Sequence, residues 1–267
     1  LIFGSAIDST CARWGLTCGG AETAMQLWQL TLRETGRLTC QGSYWGEACY
    51  IVSYTRDRDR GEAGPYTQEQ DHIPFRPTNE LQASSVLVLA PHPDDEVLGC
   101  GGAILRHVEM GTPVRVVIAT SGMSRLAHAK EDTAHIREAE SIEAAHILGY
   151  GIPQFWQTPD RALAYDEKLV RKIVSVLDDA DLIYAPSPWE IHPDHRALSM
   201  AALEAMRRVG ADLRIAFYEV GMPLQPNVLL DISRLNARKQ DALKCFKSQN
   251  SGRPYNRLIN SLNEYRT

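Results

Sequence analysis

Two short stretches hold the residues whose types and spacing could do chemistry. "PHPDDE" (91–96) sets His92, Asp94, Asp95 and Glu96 directly after the apolar run "VLVLA" (86–90). A packed strand end gains nothing from that much charge, so a binding or catalytic purpose has to be weighed. His92 and Asp95 stand three residues apart on a turn stiffened by Pro91 and Pro93. That spacing aims an imidazole nitrogen and a carboxylate oxygen at one point. Asp94 is next to Asp95, so their side chains diverge and take different jobs. Alone, an H-x-x-D of this kind is more often a solvated turn.

The second stretch, "IHPDH" (191–195), shortly follows the apolar "DLIYA" (181–185) and opens a helical pattern. Pro193 suits the first helical position, with His192 as cap and His195 in the first turn. Both stretches fall at the carboxyl ends of expected strands, where open α/β sheets bind their ligands. Together they offer His92, Asp95 and His195 as three N/O ligands without a cysteine. Such a set leaves a fourth position open, as catalytic rather than structural zinc requires. Two imidazoles and a carboxylate also suit Fe2+ in a facial triad, and the sequence leaves the divalent metal open.

The elements that must position these residues begin at Val86. Strands are expected at 86–90, 114–120, 153–157, 181–185, 213–220 and 227–233, with helices near 100–110, 132–148, 166–180, 194–209 and 233–246 and a helical tail. This alternation predicts an α/β fold: a Rossmann-like three-layer sandwich with a mostly parallel sheet. "LGCGGAIL" (98–105) lacks G-x-G-x-x-G spacing, so its glycines are expected to let a helix pack tightly beneath the metal loop. The first 85 residues read as a small N-terminal extension and linker, with a helix at 21–36, a strand at 48–55 and an aperiodic charged run at 56–85. The expected division is therefore 1–85 and 86–267, and the first part carries no assignable motif.

The bulk properties narrow the function classes. The chain has 267 residues, a net charge of −5 and 44% hydrophobic residues. An acidic balance of this size gives no electrostatic case for nucleic acid or an anionic membrane. No stretch approaches the apolar length of a membrane span. The six cysteines match no zinc-ribbon spacing, and reduced thiols in a cytoplasmic protein are expected, a local disulfide among the four in the first 50 residues being the other reading. The start lacks Met and a signal-peptide pattern, and "NEYRT" ends without a helix stop, so a piece of a longer protein is expected. The oligomeric state stays open.

"HPDDE" after a first strand, "LGCGG" behind it and "HPDH" about a hundred residues later resemble the PIG-L/LmbE family of zinc-dependent N-acetylglucosaminyl deacetylases. The resemblance runs from about Val86 to the end, including "REAESIEAAHILG" (137–149) and "KQDALKCFKSQ" (239–249). It implies His92, Asp95 and His195 as metal ligands, Asp94 as general base, His192 as the transition-state-stabilising histidine and Asp194 as its supporting carboxylate. Some members hold substrate with an arginine that falls on Arg137; a surface residue paired with Glu140 or Glu143 is the alternative. "TSGMSR" (120–125) replaces an acidic "GE", and "PSPWEI" (186–191) lacks the tyrosine that some members carry, which blurs the substrate rather than the chemistry.

The implied reaction is hydrolysis of the acetamide of a small amino sugar or glycoconjugate. The resemblance also leaves room for a hydratase or a thiol-sugar conjugate amidase on the same scaffold, and less so for a non-catalytic sugar-binding module. "DRALAY" (160–165) lies at the same sheet edge, so Asp160 and Arg161 are candidate substrate contacts, with a solvated loop as the other reading. Glu96 reads as a capping or supporting carboxylate. His107, His128, His135 and His146 read as ordinary packing or surface residues.

Overall fold

The computed structural model describes residues 48–54, 78, 81–122, 132–210, 212–252 and 254–266. These all fall within the compact unit Gly42–Thr267. The expected helix at 21–36, most of the charged run at 56–85, and His128 lie outside the described residues.

The strands are β1 (Ala48–Tyr54), β2 (Val86–Ala90), β3 (Val114–Thr120), β4 (Gln154–Thr158), β5 (Leu182–Pro186), β6 (Arg214–Tyr218) and β7 (Val228–Asp231). They form one sheet in the order β4-β3-β2-β5-β6-β1-β7. Every pairing within it is parallel. The helices are α1 (Asp95–Leu98), α2 (Gly101–Glu109), α3 (Asp132–Leu148), α4 (Glu167–Val174), α5 (Pro193–Val209), α6 (Asn236–Leu243), α7 (Lys247–Asn250) and α8 (Tyr255–Tyr265). α2 packs on α3 and α6, whereas α4 packs on α5, which covers β5 and β6. The layers are those of the expected sandwich.

The central strands are continuous hydrophobic runs because helices cover both faces. All five residues of β2 are 0% exposed, and β5 is buried throughout. Chain direction across the sheet reverses at β2: β3 and β4 continue to one side, β5 and β6 to the other. A crevice therefore opens beyond the carboxyl ends of β2 and β5, the strands that carry the two polar stretches.

Three differences from the sequence expectation have physical causes. α4 ends at Val174, followed by hydrogen-bonded turns and by Asp178 at φ 42°, a left-handed conformation that stops a helix. The tail breaks at Pro254, which has no N–H to continue α7 into α8. The strand expected within the extension is β1, and it inserts between β6 and β7 rather than standing apart from the sheet.

The "LGCGG" glycines act through contact. A Cβ at Gly99 would lie 2.1 Å from the Tyr218 ring, and one at Gly102 2.4 Å from Ile232. Tyr218 in turn donates its hydroxyl to the Leu89 carbonyl at 2.9 Å, tying β6 to the end of β2. Cys100 and Cys245 are free and buried, and no helix among the described residues is long and apolar enough to cross a membrane.

Candidate active site and metal centre

The loop after β2 is held in one conformation by its own polar groups. The His92 N–H donates to Asp95 Oδ2 at 3.0 Å, and the Asp94 N–H donates to Glu96 Oε2 at 2.9 Å. Asp94 caps α1 with φ 112°, a left-handed conformation that costs a non-glycine residue about 1–3 kcal/mol. The His92 N–H bond to the ionised Asp95, worth about 1.5–3 kcal/mol, and the Asp94 N–H bond to Glu96, worth about 0.5–1.5 kcal/mol, together offset it. From β3, the Thr120 N–H and hydroxyl both bond to the Pro91 carbonyl.

α5 starts as its sequence indicates. Pro193 occupies the first turn, and the Asp194 N–H donates to Nδ1 of the cap His192. His195 follows in the first turn and turns its ring toward the β2 loop.

The two stretches meet in a triangle of donor atoms. His92 Nδ1 lies 3.1 Å from Asp95 Oδ2 and 3.2 Å from His195 Nε2, and His195 Nε2 lies 3.1 Å from Asp95 Oδ2. Ligands on a tetrahedral centre with bonds of 2.0–2.1 Å stand about 3.3 Å apart, so the triangle fits such an ion. Two ring nitrogens and a carboxylate oxygen this close need a shared proton or cation between them. Among the described residues, two further groupings could hold a metal, His92–His192–His195 and His92–Asp160–His192–Asp194. Both use His92, and the second draws on its opposite nitrogen.

That opposite nitrogen is already engaged. His92 Nε2 lies 3.2 Å from both Asp160 Oδ1 and Asp194 Oδ2, which fixes a proton on Nε2 and turns Nδ1 to the triangle. Asp194 also accepts the Arg161 and Leu163 N–H groups and stands 4.0 Å from His192 Nδ1. Its hydrogen bonds therefore support His92 and the 160–163 loop rather than His192. Asp160 reaches His192 Nε2 at 3.6 Å and so joins the cluster. Arg161 enters it through its backbone N–H, at φ 60°, while its side chain stays exposed.

Arg137 resolves toward the site and away from the surface pairing. It is 5% exposed, and its guanidinium donates to the Gly122 and Pro93 carbonyls and lies 3.3 Å from Asp94 Oδ2. Glu140 instead accepts the Ser248 N–H and hydroxyl, fastening α3 to α7. Glu96 behaves as the supporting carboxylate expected of it. His107 is a packing residue bonded to the Tyr184 hydroxyl at 2.9 Å, whereas His135 and His146 are exposed.

Burial and neighbours set the charges. Burial pushes Asp94 up to about 7, Arg137 pulling against it and the Asp95 charge adding to it. Burial works on Asp95 too, but the His195 and His92 rings overcome it and hold that carboxyl well below the usual range. Adjacent aspartates are thus split into one that exchanges a proton near neutrality and one that stays ionised. His92 is raised despite burial by Asp160, Asp194 and Asp95. His192 is lowered, by burial first and by His92 and His195 next. In the neutral ring, the Asp194 N–H on Nδ1 leaves the proton on Nε2.

Glu190 had no signal beyond a single Glu in "PSPWEI". It is 2% exposed, it accepts the Val220, Gly221 and Met222 N–H groups, and its Oε2 lies 3.8 Å from His195 Nδ1. A cavity lined by Gln82, Ala83, Ser84, Met110, Asp181 and Arg214 lies at the opposite sheet edge. Asp181 there accepts the Ser84 and Ser85 N–H groups and pairs with Arg214, so the polar groups are spent on structure.

Both parts of the chain are similar to known proteins. Residues 87–206 match the family described as "PIG-L: GlcNAc-PI de-N-acetylase". The "Probable N-acetyl-alpha-D-glucosaminyl L-malate deacetylase 2" of Bacillus anthracis is 28% identical over 182 residues, 61% of this chain and 80% of that protein. The solved N,N'-diacetylchitobiose deacetylase of Pyrococcus horikoshii is 29% identical with a TM-score of 0.57, covering 67% of this chain and 77% of that one. A solved 4-carboxy-2-hydroxymuconate hydratase from Pseudomonas putida, 24% identical with a TM-score of 0.55 over 66% of this chain and 84% of that one, shows the shared fold alone. The N-terminal part, without an assignable motif by inspection, does have a match: residues 1–60 fit the family "Nodulation protein S (NodS)". The Sinorhizobium fredii member is 41% identical over 56 residues, 21% of this chain and 26% of that protein. Across the polar stretches after β2 and β5, the chain carries a PIG-L family domain.

Proposed function

We propose that the protein is a zinc-dependent hydrolase that removes the acetyl group from the nitrogen of an N-acetylated amino sugar or its glycoconjugate. The observation that carries the reading is the donor triangle of His92, Asp95 and His195 at 3.1–3.2 Å, beside an aspartate raised to about 7. His92, Asp95 and His195 would hold the ion. Bound there, it would supply Lewis-acid polarisation of a carbonyl and a water acidified toward ~7.

The chain's own residues divide the remaining work. Asp94 takes the proton of the attacking water and returns it to the departing amine nitrogen, which leaves poorly unless protonated. His192 donates Nε2–H to the carbonyl oxygen as charge develops there, a contribution worth about 3–4 kcal/mol per donor. Arg137 is occupied with Asp94 and two carbonyls, which supports a role in orienting that base. Asp160 stands between His92 and His192 and keeps both rings in place.

The test is acetate release from a panel of N-acetylhexosamine compounds by protein loaded with zinc. Stoichiometric zinc with acetate release supports the reading; bound zinc without acetate from any member of the panel defeats it.

A further inference from the structure

We infer that Glu190 is a positioning residue for the metal centre: it fixes the proton of His195 on Nδ1 and so keeps the Nε2 lone pair directed at the ion. The inference rests on the metal reading above and adds a residue outside the ligand set. His195 Nε2 is the atom that completes the triangle with His92 and Asp95. Its other nitrogen, Nδ1, is buried and has no hydrogen-bond partner. The carboxylate facing that nitrogen is Glu190 Oε2 at 3.8 Å. A carboxylate accepts and does not donate, so it stabilises the tautomer with Nδ1–H and disfavours the one with a lone pair there.

His92 provides an internal comparison. Its outward nitrogen, Nε2, faces two carboxylates, each at 3.2 Å, and its inward nitrogen joins the triangle. Both ring ligands are therefore backed by acids, and the chain supplies a separate acid for each. Such partners typically alter metal affinity by 10–100-fold when removed.

Glu190 is itself anchored from the far side of the crevice. Its Oε1 accepts the Val220 N–H at 2.7 Å, and its Oε2 accepts the Gly221 N–H at 3.0 Å. A Cβ at Gly221 would lie 3.0 Å from Oε2, so the backbone approaches the carboxylate as closely as glycine allows. The segment after β6 thus fixes the acid, the acid fixes His195, and His195 faces the ion.

The experiment uses the full chain and zinc alone. Glu190→Gln keeps a carbonyl oxygen for the 220–222 amides and replaces the acceptor facing His195 by an NH2 group. The zinc dissociation constant, measured against a chelator of known affinity, should rise 10–100-fold, while the melting temperature of the metal-free variant stays at the wild-type value. A zinc constant within twofold of wild type for Glu190→Gln overturns the inference and leaves the metal reading standing. Failure of the wild type to bind zinc at all removes both.

Discussion

At the scale of single residues, the adjacent carboxylates of the β2 loop are the most informative groups. Asp95 is held ionised by two imidazoles while Asp94 exchanges a proton near neutrality, so only Asp94 suits a proton carrier. Asp94→Asn should therefore cut acetate release by about 10²–10⁴-fold while zinc still binds stoichiometrically; loss of zinc along with activity would make Asp94 a ligand instead. Glu96 makes a separate prediction. Burial, reinforced by the Asp94 charge, pushes it up from 4.5 to about 8. Between those values the folded protein keeps a proton that the unfolded chain has released, so stability falls as pH rises through the window. Asp94 acts with the same sign, whereas His107, lowered to about 4, acts oppositely and only below its usual 6.5. Glu96→Gln removes one of these linkages and keeps an acceptor for the Asp94 N–H. In urea titrations of the metal-free proteins at pH 5 and pH 8, wild type should lose up to about 4 kcal/mol more than the variant, at ~1.4 kcal/mol per pH unit. Equal losses would show that Glu96 is already ionised at pH 5.

At the scale of elements, the end of β3 and the start of α3 decide where Arg137 points. Gly122 has φ 64°, and a Cβ there would lie 1.9 Å from the Arg137 guanidinium. Gly122→Ala should displace that side chain from Asp94. Because Arg137 lowers the Asp94 pKa, its displacement should move the rising limb of the pH–rate profile for acetate release to higher pH, with kcat falling about 10-fold or more. An unshifted limb would mean that Arg137 does not set the base. The same region shows what the sequence made legible. "VLVLA" reads correctly because a strand buried on both faces is apolar throughout, and "HPDDE" and "HPDH" stand out as candidate ligand stretches because the geometry of each is local to one turn. Asp160, Arg137 and Glu190 were ambiguous or silent because their meaning depends on residues distant in sequence. Asp160 meets His92 only after β4 is laid beside β3, and Glu190 meets Val220 only after β6 is laid beside β5. His192 reads correctly as a cap, but the lowering of its pKa follows from burial and from two neighbouring rings that the motif alone does not bring together.

At the scale of the whole molecule, β1 links two matched regions of the chain. It lies within residues 1–60, which match the NodS family, and it also pairs with β6 and β7 in the sheet of the PIG-L domain. Four of its residues are in register with β6 and four with β7. Removing it exposes the backbone row of β6 and detaches β7, the strand that leads into α6. Each ladder hydrogen bond exchanged for water costs about 0.5–1.5 kcal/mol, and several together approach the 5–15 kcal/mol that usually separates folded from unfolded domains. Deletion of residues 1–47 should therefore leave zinc binding and a cooperative melt intact, because no residue of the metal triangle precedes His92. Deletion of residues 1–77 should give a protein that aggregates through its open β6 edge or melts without cooperativity. Equal melting temperatures for the two deletions would mean that β1 is dispensable and that β7 docks without it. A lower melting temperature confined to the longer deletion would make β1 an integral strand of the catalytic domain despite its place in the sequence.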